Sequence, residues 1–374
     1  MRVEILANDR ASFIRPIAQG LARMLRDCGA EARLHYDGIA NLMRRQEVDS
    51  SSLRSGVGSA TRLIPNRRRF SAFVEDIREA DVIVVVMNVP GSFSAWALPN
   101  VELLRKRLPH IPIVNYDLHY LPTLDSWARH LLRGERTDLS DEMIKIFEKG
   151  KFGLERYDWY LMASVGTEIP LPPGPQPYSL IGMDIDDGTL YPEQRGHFRA
   201  LVDFAPSRGT SLPFRDVQLE ALRISGLDFE ILSQTYSMDK IRSLYRRTSV
   251  FLLSQCESFG LSIAEVQGCG GMICIPDPYW AAAHWLGDMY YTRRSPTLSP
   301  NFIVYENEPQ KLAARLLEVS RGFDPLRVRE TFLTVQPELF RGNRMSLTNF
   351  LNRVSSGEIH SGLHREHYHI GRAV

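Results

Sequence analysis

Nowhere in the 374 residues is there a run of about twenty apolar positions, the length a helix needs to cross a bilayer. The opening stretch, Met1 to Ala7, is too short and too interrupted by charge for a secretory leader, so a cytoplasmic protein is expected. Cysteine is scarce: Cys28, Cys256, Cys269 and Cys274 show neither C-x-x-C spacing nor the density of a disulfide framework, and read as buried thiols of a reducing compartment. Charge of one sign is also missing. With 45 basic and 44 acidic residues the formal net charge is +1, which argues against a surface that coats nucleic acid uniformly. Local clusters remain at Arg44-Arg45, Arg67 to Arg69, Arg246-Arg247 and Arg293-Arg294, and solvated helix faces or loops account for such runs.

What is present is an α/β rhythm in a chain long enough for two cores. Residues Arg2 to Leu6 predict a strand, the apolar spacing within Ile14 to Cys28 a helix stopped by Gly29, and Glu31 to Tyr36 a second strand. Asp49 to Ser59 is serine-rich and reads as a loop. The β-branched run within Asp81 to Asn88 suits only the middle of a sheet covered on both faces, and Pro112 to Asp117 supplies another strand after a helix through Val101 to Leu108. Ligands of open parallel sheets sit beyond the carboxyl ends of the strands, the direction in which Asn88, Asn115, Asp117 and His119 point. A further strand is expected within Arg156 to Ala163, followed by the proline-rich stretch Ile169 to Pro177, an extended path. The second half repeats the pattern: strands at Leu201 to Phe204, Phe229 to Leu232, Val250 to Ser254 and Met272 to Ile275, helices at Asp216 to Ser225, Met238 to Arg247, Leu261 to Gly268 and Gln310 to Val319. We expect an acceptor-side Rossmann-like domain at 1–182, a nucleotide-sugar-binding one at 183–345, and a helix end with a histidine-containing tail at 346–374.

Glu257-Ser-Phe-Gly-Leu-Ser-Ile-Ala-Glu265 carries two carboxylates eight positions apart across a strand-to-helix junction. Gly260 lets backbone pass close to a ligand, N–H groups at the helix start suit an anionic phosphate, and each ionised carboxylate accepts from the hydroxyls of a sugar. This stretch resembles the Glu-x7-Glu signature of the retaining, nucleotide-sugar-dependent glycosyltransferases of family 4, which have the GT-B fold. The similarity extends to Tyr236 through Ser254 before it, Val266 through Pro276 after it, and Ile181-Gly-Met-Asp184, which looks like that family's interdomain loop. It covers about residues 181 to 320.

The resemblance implies two Rossmann-like domains facing across a cleft and transfer of a hexose from a nucleoside-diphosphate sugar to a glycan, lipid-linked or small-molecule acceptor. It implies that Glu265 holds the donor ribose, that Glu257 contacts the donor sugar, and that the backbone of Ser258, Phe259, Gly260 and Leu261 approaches sugar and diphosphate. Arg208 and Arg215 stand where the family places cations for the leaving diphosphate, although its usual Gly-Arg and Lys-Gly pairs are missing. Gln234 and Tyr236 lie where the base would be read. Asp117 and His119 are the acceptor-side candidates, able to orient or deprotonate a hydroxyl. The family's glycine-rich loop after the first strand is replaced by Ala7-Asn-Asp-Arg-Ala-Ser12.

No metal or other cofactor is expected. Asp184-Ile-Asp186 superficially matches a metal-binding Asp-x-Asp, but its flanks fit the interdomain loop better, and Thr189 stands where an EF-hand needs glycine. His360, His364, His367 and His369 fit no zinc spacing. Two other functions remain open at this point: transfer to a modified base in DNA, with the arginine clusters on phosphates, and a non-catalytic nucleotide-sugar-binding protein.

Overall fold

A computed structural model describes residues 1–7, 13–36, 69–86, 98–117, 157–164, 178–193, 196–204, 214–234, 236–253, 260–276, 285–286 and 297–362. They form two parallel sheets. The first has the order β2-β1-β3-β4-β5-β6, from β1 (Arg2–Ala7), β2 (Glu31–Tyr36), β3 (Val82–Val86), β4 (Ile113–Asp117), β5 (Trp159–Met162) and β6 (Tyr178–Leu180). The second has the order β13-β10-β9-β7-β8, from β7 (Arg199–Val202), β8 (Asp228–Ile231), β9 (Val250–Leu252), β10 (Met272–Ile275) and β13 (Phe302–Val304). A small antiparallel pair joins β11 (Trp285–Leu286) to β12 (Thr297–Leu298).

Every pairing within the two large sheets is parallel, so helices must cross over and cover both faces. β3 shows the consequence: Val82, Val84 and Val86 enter one apolar cluster while Ile83 and Val85 enter the other, and all five are buried. The helices are α1 (Ile14–Asp27), α2 (69–77), α3 (Leu98–Arg107), α4 (Phe214–Ser225), α5 (Met238–Arg247), α6 (Leu261–Gly268), α7 (Pro309–Arg321), α8 (Pro325–Val335), α9 (Glu338–Arg341) and α10 (Arg344–Ser355). Gly29, at φ +81°, ends α1 as its position after the periodic segment requires. None of the helices among the described residues is long and apolar enough to cross a membrane.

The chain passes from the first sheet to the second through residues 181–190, and returns at 336–344. The two passages touch. Met183 N and Ile185 N donate to Glu338 O and Phe340 O, both at 2.9 Å, and Asn343 N donates to Ile181 O at 2.7 Å. Gly182 sits at φ +66°, where a Cβ would lie 2.3 Å from Glu338 O, so only glycine fits without displacement. Tyr116 at the end of β4 donates to Gly182 O at 2.9 Å, fixing the passage to the first sheet.

After the return, α10 packs on α1 and β6 of the first domain. Asp158, fully buried, accepts from Ile113 N, from Arg105 Nη2 and from Gly362 N, each at 2.8 Å. The end of the described chain is thus bonded beneath the first sheet. Asp158→Ala removes an acceptor shared by three donors and is expected to cost about 3 kcal/mol, with faster hydrogen exchange at residues 359–362 than in the rest of α10. Unchanged exchange there would contradict this arrangement.

Candidate functional site

Of the residues singled out in sequence, Glu257, Ser258, Phe259, Arg208 and His119 lie outside the described residues, as do Asn88, the 49–59 loop and the proline-rich stretch. The others divide between the carboxyl ends of the strands and the body of α6. Asp117 closes β4 and is 2 % exposed, beside the equally buried Asn115.

At the end of β7, Arg215, the second residue of α4, turns back and donates from Nη1 to Asp203 O at 3.0 Å, which places its guanidinium at the sheet edge. Phe204, 38 % exposed, meets the ring of Tyr236 with centroids 6.2 Å apart. Gln234 is exposed just before it. Arg215, Phe204, Gln234 and Tyr236 therefore gather at the carboxyl edge of neighbouring β7 and β8, where an open α/β sheet takes its ligand. Ser237 starts α5 as its N-cap, accepting from Lys240 N at 3.4 Å.

Gly260 is the N-cap of α6, extended at φ −134°, and its carbonyl accepts from Ile263 N at 3.1 Å. The helix runs for only two turns and is buried from Ile263 to Gly268. Close packing explains its small residues: a Cβ on Gly268 would lie 2.4 Å from the Phe340 ring, and Arg329 caps its last turn by donating to Gly268 O. On this inner helix Glu265 is 3 % exposed.

The partner of Glu265 is Arg242, a residue sequence reasoning did not single out. Arg242 Nε and Nη2 donate to Glu265 Oε1 at 2.9 and 2.8 Å. Its third nitrogen, Nη1, donates to Asp187 Oδ2 and, at 2.9 Å, to Thr189 Oγ1. Asp187 is itself held by Thr189, whose N and Oγ1 donate to Oδ1 at 3.0 and 2.6 Å. One turn along α5, Arg246 grips the same loop through Glu193 at 2.7 Å and Thr189 O at 3.1 Å. A signal was available. Arg242 lies among Ile241, Leu244 and Tyr245 on the inward face of an amphipathic helix, and a buried arginine demands carboxylates.

The electrostatics follow from burial. Desolvation pushes the Glu265 carboxyl above its ordinary range, and Arg242 opposes this. Burial pulls Arg242 down, but Glu265 and Asp187 outweigh it and the guanidinium stays charged. Burial raises Asp187 too, yet hydrogen bonds from Thr189 and Arg242 hold it below the usual carboxylate range. Among the described residues no hydrogen bond reaches Glu265 Oε2.

Asp184 and Asp186 are committed elsewhere. Asp184 binds Arg23 of α1 at 3.2 Å and Arg344 of α10 at 2.9 Å, and Asp186 binds Arg341 at 3.2 Å. Among the described residues no cluster of three or more His, Cys, Asp or Glu is placed to hold a metal.

No family model matches the chain, and no curated protein matches it in sequence. Solved structures do. OtsA, a trehalose-6-phosphate synthase, is similar over 95 % of this chain and 99 % of its own, with 10 % identity and a TM-score of 0.50. CalG4, the calicheamicin glycosyltransferase, is similar over 95 % and 98 % at 11 % identity, TM-score 0.45. The spinosyn rhamnosyltransferase SpnG, complexed with thymidine diphosphate, covers 94 % and 100 % at 11 % identity, TM-score 0.44. Two parallel α/β sheets, double crossing between them and near-complete coverage by the OtsA structure give the chain the GT-B architecture.

Proposed function

We propose that the chain is a retaining glycosyltransferase that moves a hexose from a nucleoside-diphosphate sugar to the hydroxyl of a glycan, lipid-linked sugar or small molecule. The observation that carries this reading is Glu265, a carboxylate held in the body of a glycine-started inner helix that follows β9, with one oxygen left for a polyol. Hydroxyls donate and carboxylates accept, so the Oε2 of Glu265 suits a ribose. Gly260 and Leu261 bring backbone N–H groups to the start of α6, where diphosphate is favoured. Glu257, Ser258 and Phe259, which precede Gly260 in the sequence, are assigned to the hexose, and Gln234 and Tyr236 to the base.

Transfer breaks the bond from the anomeric carbon to the diphosphate and forms one to the acceptor oxygen on the same face of the ring. The acceptor proton leaves toward Asp117 or His119, and the nucleoside diphosphate departs with its negative charge. Arg215, with Arg208, offers the compensating cation. We propose that no metal is needed, because these arginines supply the charge a divalent ion would.

Incubation with a panel of nucleoside-diphosphate hexoses should release nucleoside diphosphate from one of them. Turnover should persist in excess chelator, and proton NMR of the product should show the donor's anomeric configuration. Release abolished by chelator would remove the metal-free reading. Inverted product would remove the retaining one. Tight donor binding with neither hydrolysis nor transfer would make the chain a nucleotide-sugar-binding protein instead.

A further inference from the structure

We propose that Arg242 is a positioning residue for the donor: it clamps Glu265 by one oxygen so that the other meets the ribose hydroxyls, and it ties that clamp to the interdomain loop through Asp187. The inference rests on the nucleotide-sugar reading given above and adds a residue that acts through Glu265.

Three features separate this arrangement from an ion pair that only holds the core together. An arginine and a glutamate left to themselves pair fork to fork, one N–H on each oxygen. Here Nε and Nη2 both donate to Oε1, and Oε2 is not used. Arg242 also carries more than Glu265 needs, since its third nitrogen reaches Asp187 and Thr189 on the loop leaving the first domain. That loop is in turn fixed by Arg246 one turn further along α5. The result is a carboxylate held at Oε1 from α5, by a guanidinium that is itself tied to the interdomain passage. A ligand that uses two vicinal hydroxyls needs such an acceptor prearranged, because a glutamate free to rotate loses entropy on binding. Arg242 also opposes the upward push that burial gives the carboxyl, and only the ionised form accepts from both hydroxyls.

Equilibrium binding of UDP, GDP and ADP, each compared with its 2′,3′-dideoxy counterpart, tests the assignment on the full chain. The nucleotide the protein holds best should lose about 10- to 100-fold in affinity without its ribose hydroxyls, the size of hydrogen bonds to a charged acceptor. Glu265→Gln should erase most of that difference. Arg242→Lys keeps a positive charge but not the planar fork, and should reduce the discrimination at least fivefold while binding of the dideoxy form stays within about twofold. Asp187→Asn, which removes the clamp's far anchor and leaves the buried pair, should give a smaller loss in the same direction. It also covers the case in which Arg242→Lys does not fold. If both variants keep the wild-type ratio of ribo to dideoxy affinity, or weaken both nucleotides equally, Arg242 serves stability alone and the proposal fails. Wild-type protein that binds none of the nucleotides would overturn the nucleotide-sugar reading itself, a result separable from retained discrimination in the variants.

Discussion

Alanine at position 182 should lower stability by about 2–5 kcal/mol, whereas alanine at position 188 should cost about 1–2 kcal/mol. Both glycines have positive φ, +66° and +81°, so both substitutions meet the left-handed penalty. They differ in space. A Cβ on Gly188 meets nothing within 4 Å, but one on Gly182 lies 2.3 Å from Glu338 O and 2.9 Å from Gly342 Cα. Those atoms are backbone and cannot swing aside. Relief would come only by parting the two interdomain passages, which also breaks the bonds from Met183 N and Asn343 N. Chemical denaturation of the two variants beside the parent measures the contrast, and equal losses would show that the passages are not in firm contact.

Arg242→Met should be the most damaging conservative-volume change in the second domain, at about 3–5 kcal/mol near pH 7, because it strands the buried Glu265. The pH dependence has a defined direction. Folding raises the Glu265 carboxyl above its ordinary value, chiefly through desolvation, and Arg242 is the charge that opposes the rise. Without Arg242 the folded-state value climbs further. A carboxyl raised by folding opposes the fold at pH above its folded value and stops doing so once protonated below its unfolded value. The deficit of the variant should therefore shrink as the pH is lowered from neutrality, opposite to ordinary acid destabilisation. Asp187 contributes in the other sense, since its carboxyl is held low and its share of stability fades on acidification, but it is partly exposed and the smaller effect. A deficit that is flat with pH would mean that Glu265 finds another cation when Arg242 is lost.

Much of the architecture was legible because its signals are local. β2, α5, α6 and β10 have the bounds their patterns predict, and the β-branched run around Val84 lies inside the first sheet as expected. Elements were missed where the signal is short or tertiary. β6 and β13 are three residues each, too brief for an alternation to register, and β6 follows directly on a proline-rich stretch. The helices α8 to α10 are interrupted by Pro325, Pro337 and Gly342, so no long period runs through them; what orders them is packing on α6 and α1. At the site, the glycine start of α6 and Glu265 could be read from residue types at fixed spacing. The inward-facing position of Arg242 on α5 pointed to a buried cation, but its pairing with Asp187 could not be read, because 55 residues separate them and only the folded chain makes them partners.

Residues 344–362, the last of the described chain, are part of the first domain's structure, with Gly362 bonded to Asp158 and Arg344 bridging Asp27 and Asp184. On a ribosome adding 5–20 residues per second, roughly 10–30 s pass between synthesis of the Gly182 passage and arrival of that final stretch. During that interval the amino-terminal half waits with α1 and β6 uncovered. The second domain, made in the interval, has its whole sheet available first. Nascent chains should accordingly complete their structure out of translational order, the later-made half before the earlier.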